Sequence, residues 1–188
     1  MVKLSLVLTM ALPMAAAEYA AVYTIDAAHS AASFSVRHMM VNTIRGQFAK
    51  VTGKVVYDAA NLTVSKVEAT IDVSTIDTRE PKRDAHLRSP DFFDVAKFPV
   101  MTFASTKLWR DGETVKLLGD LTLHGVTRTI TLDVTMLQTA EEKRIGATAT
   151  GKLSRREFGL LWNKVIETGG VVVGDEIGVT IKLEAARM

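Results

Sequence analysis

Cysteine is absent from the 188 residues, which excludes disulfides, thiolate zinc sites, iron–sulfur clusters and cysteine nucleophiles and leaves the redox compartment undecided. Charge of one sign is also lacking. Lys and Arg number 23 against 21 Asp and Glu, a formal net charge of +2, far from the concentrated basic face that a nucleic-acid partner requires. There is no GxSxG elbow, no GxGxxG or Walker loop and no HExxH pair, so the sequence gives no support to nucleophilic catalysis, nucleotide cofactors or a zincin site. No Pro/Gly/Ser-rich linker or internal repeat divides the chain. What remains, 47% hydrophobic and 23% charged residues, is the composition of one folded domain rather than of a disordered chain.

The first seventeen residues, MVKLSLVLTMALPMAAA, place Lys3 ahead of an apolar run that ends in alanines before Glu18. That layout is a secretory signal peptide over residues 1–17, with cleavage expected near Ala17. The uncharged stretch from Leu4 to Ala17 is 14 residues, shorter than the roughly 20 a spanning helix needs. The competing reading is a buried N-terminal helix. A periplasmic or secreted product follows, with residues 18–188 as one domain that does not span a membrane.

From Tyr23 onward the chain alternates with period two, the mark of half-buried antiparallel strands. Val67, Ala69, Ile71 and Val73 interleave with Lys66, Glu68, Thr70 and Asp72. Val126, Ile130, Leu132, Val134 and Met136 repeat the pattern, as do Ile177, Val179, Ile181 and Leu183. Further strands are expected over 32–38, 44–57, 100–109, 115–123 and 145–153, which makes eight. In the second of these Ile44, Gly46 and Phe48 share one parity and Val51, Gly53 and Val55 the other, so the phase slips near Ala49 and Lys50. Such a slip is a β-bulge, and a bulge bends a strand where a barrel turns its corner. The expected fold is therefore all-β, an eight-stranded antiparallel barrel closed on itself, with an open two-sheet sandwich as the alternative. The period breaks once. Between Asp77 and Pro99, Pro81 suits a first helical turn, Asp77 or Thr78 could cap it and Pro90 stops it, which gives a short lid helix followed by Phe92, Phe93 and Phe98.

An eight-stranded barrel either fills with its own side chains or keeps room for one small ligand. The inward parity contains small residues on several strands, which favours a hollow bore; the other reading is that they relieve crowding at bends. The positions expected to line the bore are Phe34, Val36, His38 and Phe48, then Val67, Ala69, Ile71 and Val73. From the later strands come Phe103, Leu117, Gly119 and Leu121, then Ile130, Leu132 and Val134. Ala147, Ala149, Arg155, Ile177 and Val179 complete the set. Apolar walls select an apolar guest: burying about 500 Å² of hydrocarbon gains roughly 12 kcal/mol gross, of which several kcal/mol are lost to association and ordering.

Four segments, FSVRHMMVNTIRGQF, HLRSPDFFDVAKFP, LTLHGVTR and LSRREFGL, occur in this order, and through them the chain resembles the YceI-like family over about Tyr23 to Leu183. The resemblance implies a lipocalin-like barrel with an elongated apolar tunnel holding a polyisoprenoid or a similar long amphiphile such as a prenyl quinone. It implies export for many members, and a homodimer. Arg37, His38, Gly46 and Phe48 fall in the first motif, His124 and Gly125 in the central turn, and Ser154, Arg155, Phe158 and Gly159 in the last. The usual acidic Asp of the last motif is here Glu157. No cofactor is expected beyond such a lipid. His29, His38, His86 and His124 lie in four different segments, so a metal site would depend wholly on the fold. His38 is expected to face the cavity, and His86 and Arg88 either to meet an anionic headgroup or to lie on a solvated helix face. Arg155 is expected inward, as a buried cation that needs a carboxylate or a ligand oxygen. Three functions follow: a carrier or buffer of the lipid, an enzyme acting on it, or a structural subunit with a filled barrel.

Overall fold

The computed structural model describes residues 20–39, 41–138, 143–163 and 172–188; the signal peptide read over residues 1–17 lies outside them. The elements run β1 (Ala21–Ile25), β2 (Ala31–His38), β3 (Asn42–Phe48), β4 (Val51–Tyr57), β5 (Lys66–Asp72), β6 (Ile76–Asp77), α1 (Pro81–Arg88), β7 (Val100–Asp111), β8 (Thr114–Leu123), β9 (Val126–Gln138), β10 (Arg144–Ser154) and β11 (Val173–Arg187). Every pairing is antiparallel, and the ring β1-β4-β5-β7-β8-β9-β10-β11 closes where β11 returns to β1, with Tyr23 opposite Arg187. The fold is an eight-stranded up-and-down barrel, with no open edge along that ring.

Three of the eight staves are composite. β1 and β2 both lie against β11, β3 and β4 against β2 and β1, and β5 and β6 against β4 and β3. β1 was not among the expected strands. It is separated from β2 by Asp26–Ser30, and across that gap the Ser30 hydroxyl donates to the Glu184 carbonyl (3.2 Å) and accepts from the Glu184 amide (3.1 Å). A side chain thus replaces a missing rung of the ladder. The phase slip after Phe48 is a break between β3 and β4, with Lys50 at φ +50°; it turns the stave sharply, so that Phe48 and Val51 are both buried.

The helix obeys the expected start and stop, but its cap differs. Glu80, not Asp77 or Thr78, accepts the Lys82 amide. Thr78 is occupied elsewhere: its amide and hydroxyl both donate to Asp84 Oδ1, at 2.9 and 2.5 Å, and its hydroxyl accepts from Arg83 Nε at 2.8 Å. This buried knot ties the helix to the rim. At the same rim His124 and Gly125, at φ +52° and +73°, make the two-residue turn between β8 and β9, in which both central residues are left-handed.

At the gap in the first stave, Asp26 accepts from the Ala28 amide (3.1 Å), His29 (2.9 Å) and Arg144 (3.3 Å), and Arg144 also donates to Glu184. The His29 hydrogen bond, joined by the Ala28 amide and Arg144, outweighs burial and holds the Asp26 carboxyl below the usual carboxylate range. A folded-state pKa below the unfolded one stabilises above the unfolded value and loses that contribution as pH falls through the folded one. Asp26→Asn is therefore expected to flatten the acid limb of the urea midpoint plotted against pH. Parallel limbs for the two proteins would refute it.

Candidate functional site

The barrel is hollow beneath the helix. A cavity of about 190 Å³ runs from Leu87, Phe92, Phe93 and Leu160 at the lid end down to Val67 and Leu183. An apolar cavity of about 150 Å³ already admits a benzene-sized guest, so this space holds a section of hydrocarbon chain. Among the residues around it, all are apolar except Ser33 and Arg155. Below lies a second cavity of about 50 Å³, reaching Tyr57, Ile145 and Ala185. Val67, Leu117, Ala149 and Leu183 line both and form the constriction between them. The two spaces are successive chambers of one bore.

Of the expected lining, the upper chamber brings together Phe34, Val36, Phe48, Val67, Ala69, Ile71, Phe103, Leu117, Leu121, Ile130, Leu132, Ala149, Arg155, Ile177 and Val179. Val134 and Ala147 line the lower chamber instead. His38 is half-buried at the end of β2, opposite Asn42 and Val173, and lines neither chamber. Val73 lies outside because the strand parity stops at Asp72, whose side chain caps a 3₁₀ turn over Val73–Thr75; Val73 packs instead with Phe48, Ile76 and Phe158.

Gly119 also falls outside the lining, for a different reason. A Cβ at Gly119 would lie 2.4 Å from the Phe103 ring and 2.6 Å from the Ala104 carbonyl, and one at Gly46 would lie 2.5 Å from the Phe34 ring. These two inward glycines do not leave open space; each seats an aromatic ring from the neighbouring stave. The wall is smooth at these points because rings lie flat across them. Gly119→Ala is accordingly expected to push Phe103 off its seat and to cost about 1–3 kcal/mol of stability, the usual price of overpacking. An unchanged urea midpoint would show that the ring moves freely.

The lid is an aromatic stack. Phe34, Phe48 and Phe93 follow one another at centroid distances of 5.7 and 5.6 Å. His86 stands edge-on to Phe92 (5.1 Å) and Trp162 (4.9 Å), and its Nε2 is 2.8 Å from Asp91 Oδ2. His86 is therefore packed and paired within the lid. Arg88, the other candidate for a headgroup, turns to the rim, donating to the carbonyls of Ser74 (2.9 Å) and Ile76 (2.6 Å). His124 packs on Phe98 at 4.6 Å, with Nδ1 3.3 Å from the Phe158 carbonyl.

Arg155 is inward and only 3% exposed, and its partners within the chain are backbone carbonyls rather than a carboxylate. Nε donates to the Gly174 carbonyl (2.9 Å), Nη1 to Leu160 and Trp162 (3.0 Å to the latter), and Nη2 to Val173 (3.4 Å). Burial pushes its pKa down, against the nearby Asp175 charge. The guanidinium pins the segment 160–162 to the start of β11 at 173–174, over one side of the chamber.

Leu87, Phe92, Phe93 and Leu160 were not among the expected lining, since they stand in helix, turn and loop where no period applies; nor was Val173, which opens β11 ahead of its register shift before Ile177. Ile181 and Leu183 continue the parity of Ile177 and Val179, and the alternation could have supplied them.

The YceI-like domain family matches residues 23–185. Protein YceI of Escherichia coli O157:H7 is 36% identical over 147 residues, which cover 75% of this chain and 77% of that protein. Burkholderia cenocepacia BcnA superposes with a TM-score of 0.77 at 25% identity, over 86% of this chain and 99% of that one. A polyisoprenoid binding domain from Saccharophagus degradans, implicated in plant cell wall breakdown, superposes at 0.67 and 18% identity over 88% and 98%, a likeness of fold.

Proposed function

The chain belongs to the YceI-like family, and from that premise we propose that it is an exported protein that holds a polyisoprenoid lipid or a comparable long amphiphile in the barrel and acts as its carrier or buffer. The observation that carries this reading is the bore itself: two apolar chambers in line, closed at one end by an aromatic lid. A saturated or prenyl chain entering there loses water contact along its length, at about 0.8 kcal/mol per buried CH₂. The lining offers shape and hydrophobicity rather than a set of converging polar groups, which supports binding in preference to turnover. The name of the Saccharophagus domain is in keeping with such a guest.

Extraction of the purified protein with organic solvent, followed by mass spectrometry, is expected to release a prenyl lipid in stoichiometric amount, and the stripped protein to take up a prenyl quinone. Repeated absence of co-purifying lipid together with failure to bind the quinone would overturn the proposal. Conversion of the bound lipid to a new species on incubation would favour an enzyme instead.

A further inference from the structure

The β2–β3 hairpin stands at the lid end with little support. β3 meets β6 only at Gln47 and Phe48, so Asn42–Gly46 is paired with β2 alone. Its turn is closed by the Val41 amide donating to the His38 carbonyl (3.2 Å). Turns are normally made of Gly, Asn, Asp or Ser. Here Met39 is left-handed at φ +50° and 43% exposed, and Val41 is 83% exposed.

Leu161, 66% exposed, stands on the same rim. The Trp162 carbonyl is held by Arg155, Asn163 exchanges two hydrogen bonds with the Val173 backbone, and the Met39 amide donates to the Val172 carbonyl at 2.9 Å. Single exposed apolar side chains are ordinary. These three share one hydrogen-bonded rim beside the lid of an apolar bore.

The charge on the hairpin itself has one sign. No Asp or Glu occurs from residue 27 to residue 57. Arg37 and Arg45 lie exposed on the outer face of the hairpin, and among the described residues neither has an ion-pair partner. Elsewhere at this end Asp91 is engaged with His86, Asp175 with Ser154 and Arg156 and Glu176 with Lys152, while Glu157 lies exposed on the turn after Arg156. Exposed apolar groups at a tip, backed by unpaired arginines, match the layering of an anionic bilayer surface, acyl boundary outermost from the protein and phosphate behind it.

We propose that the Met39 and Val41 tip, together with Leu161, inserts into the surface of an anionic lipid bilayer, with Arg37 and Arg45 against the phosphates. Docking so sets the lid directly over the lipid from which the bore is filled. The inference rests on the lipid-binding reading, and its test separates the two.

The test is flotation with phosphatidylcholine vesicles prepared with and without phosphatidylglycerol, beside uptake of dansyl-tagged farnesol from vesicle-free solution. The protein is expected to float with the anionic vesicles only, less so at high ionic strength. Val41→Glu and Leu161→Glu should each weaken flotation roughly tenfold or more by placing a charge at the acyl boundary, and Arg37→Gln and Arg45→Gln about fivefold each. Val64→Glu, an exposed apolar position at the other end of the barrel, should leave it unchanged. All of these variants should take up the dansyl probe as the parent does. No flotation, or flotation indifferent to Val41→Glu and to the arginines, would overturn the docking proposal while uptake of the probe still stood; flotation without any uptake would spare the docking and remove the lipid-binding reading.

Discussion

Replacing Arg155 with leucine is expected to destabilise the fold by about 3–5 kcal/mol, because several buried hydrogen bonds from a charged donor, each worth about 1.5–3 kcal/mol, are lost at once. For a domain of this size that is a fall in melting temperature of about 10 °C. The reason lies in what stays behind. The guanidinium donates to the carbonyls of Leu160, Trp162, Val173 and Gly174, and leucine would leave all four without this donor under the lid. A buried acceptor without a partner costs about 1–3 kcal/mol. Arg155→Lys is expected to recover only a small part, because an ammonium on a flexible stem cannot reproduce the planar fork that spans two segments. Urea denaturation of both variants measures the effect, and full stability in the lysine variant would show that charge alone, not the fork, holds the rim.

That residue also shows where sequence reasoning reached its limit. Arg155 and Arg156 differ in parity, so that only one is expected inward; both stand in a 3₁₀ turn after β10, and the buried one is Arg155. Its partners were beyond reach, because backbone carbonyls from residues 5 to 19 positions away leave no side-chain signature. The same distinction runs through the fold. The alternation of Val67 to Ile71, of Ile130 to Val134 and of Ile177 to Ile181 comes from burying one face of each strand, so the staves and their inward residues were legible. The gap between β1 and β2 was not, since Ser30 fills it through its hydroxyl and a serine between strands looks like any turn residue. Nor was the seating of Phe103 on Gly119 and Phe34 on Gly46. A glycine's neighbour across the sheet depends on register, and register is set by turns and bulges distributed over the whole barrel. The lid residues Phe92 and Phe93 were visible as a cluster, and the fold alone turns them onto the bore.

The constriction between the two chambers leads to the last prediction. Ala149 on β10 is buried, faces Val134 and Ile181 across the sheet, and lines both spaces. A phenylalanine there would project into the narrowest part of the bore and close the lower chamber to a chain entering from the lid. Ala149→Phe is expected to cost about 1–3 kcal/mol of stability through overpacking, and its effect on binding should depend on chain length. A long polyisoprenoid would lose the burial of about one five-carbon isoprene unit, about 4 kcal/mol at 0.8 kcal/mol per carbon, or roughly a thousandfold in Kd. A geranyl chain short enough to end in the upper chamber, beneath Phe93 and above Val67, should bind nearly as before. Titration of the parent and the variant with prenyl alcohols of increasing length measures the difference. Equal losses at every length would mean that the ring disturbs the part of the bore that every chain shares. Unchanged affinity at every length would mean that no chain passes Ala149 into the lower chamber, because a chain cannot share that constriction with an aromatic ring without losing contacts along the part of its length that the ring excludes.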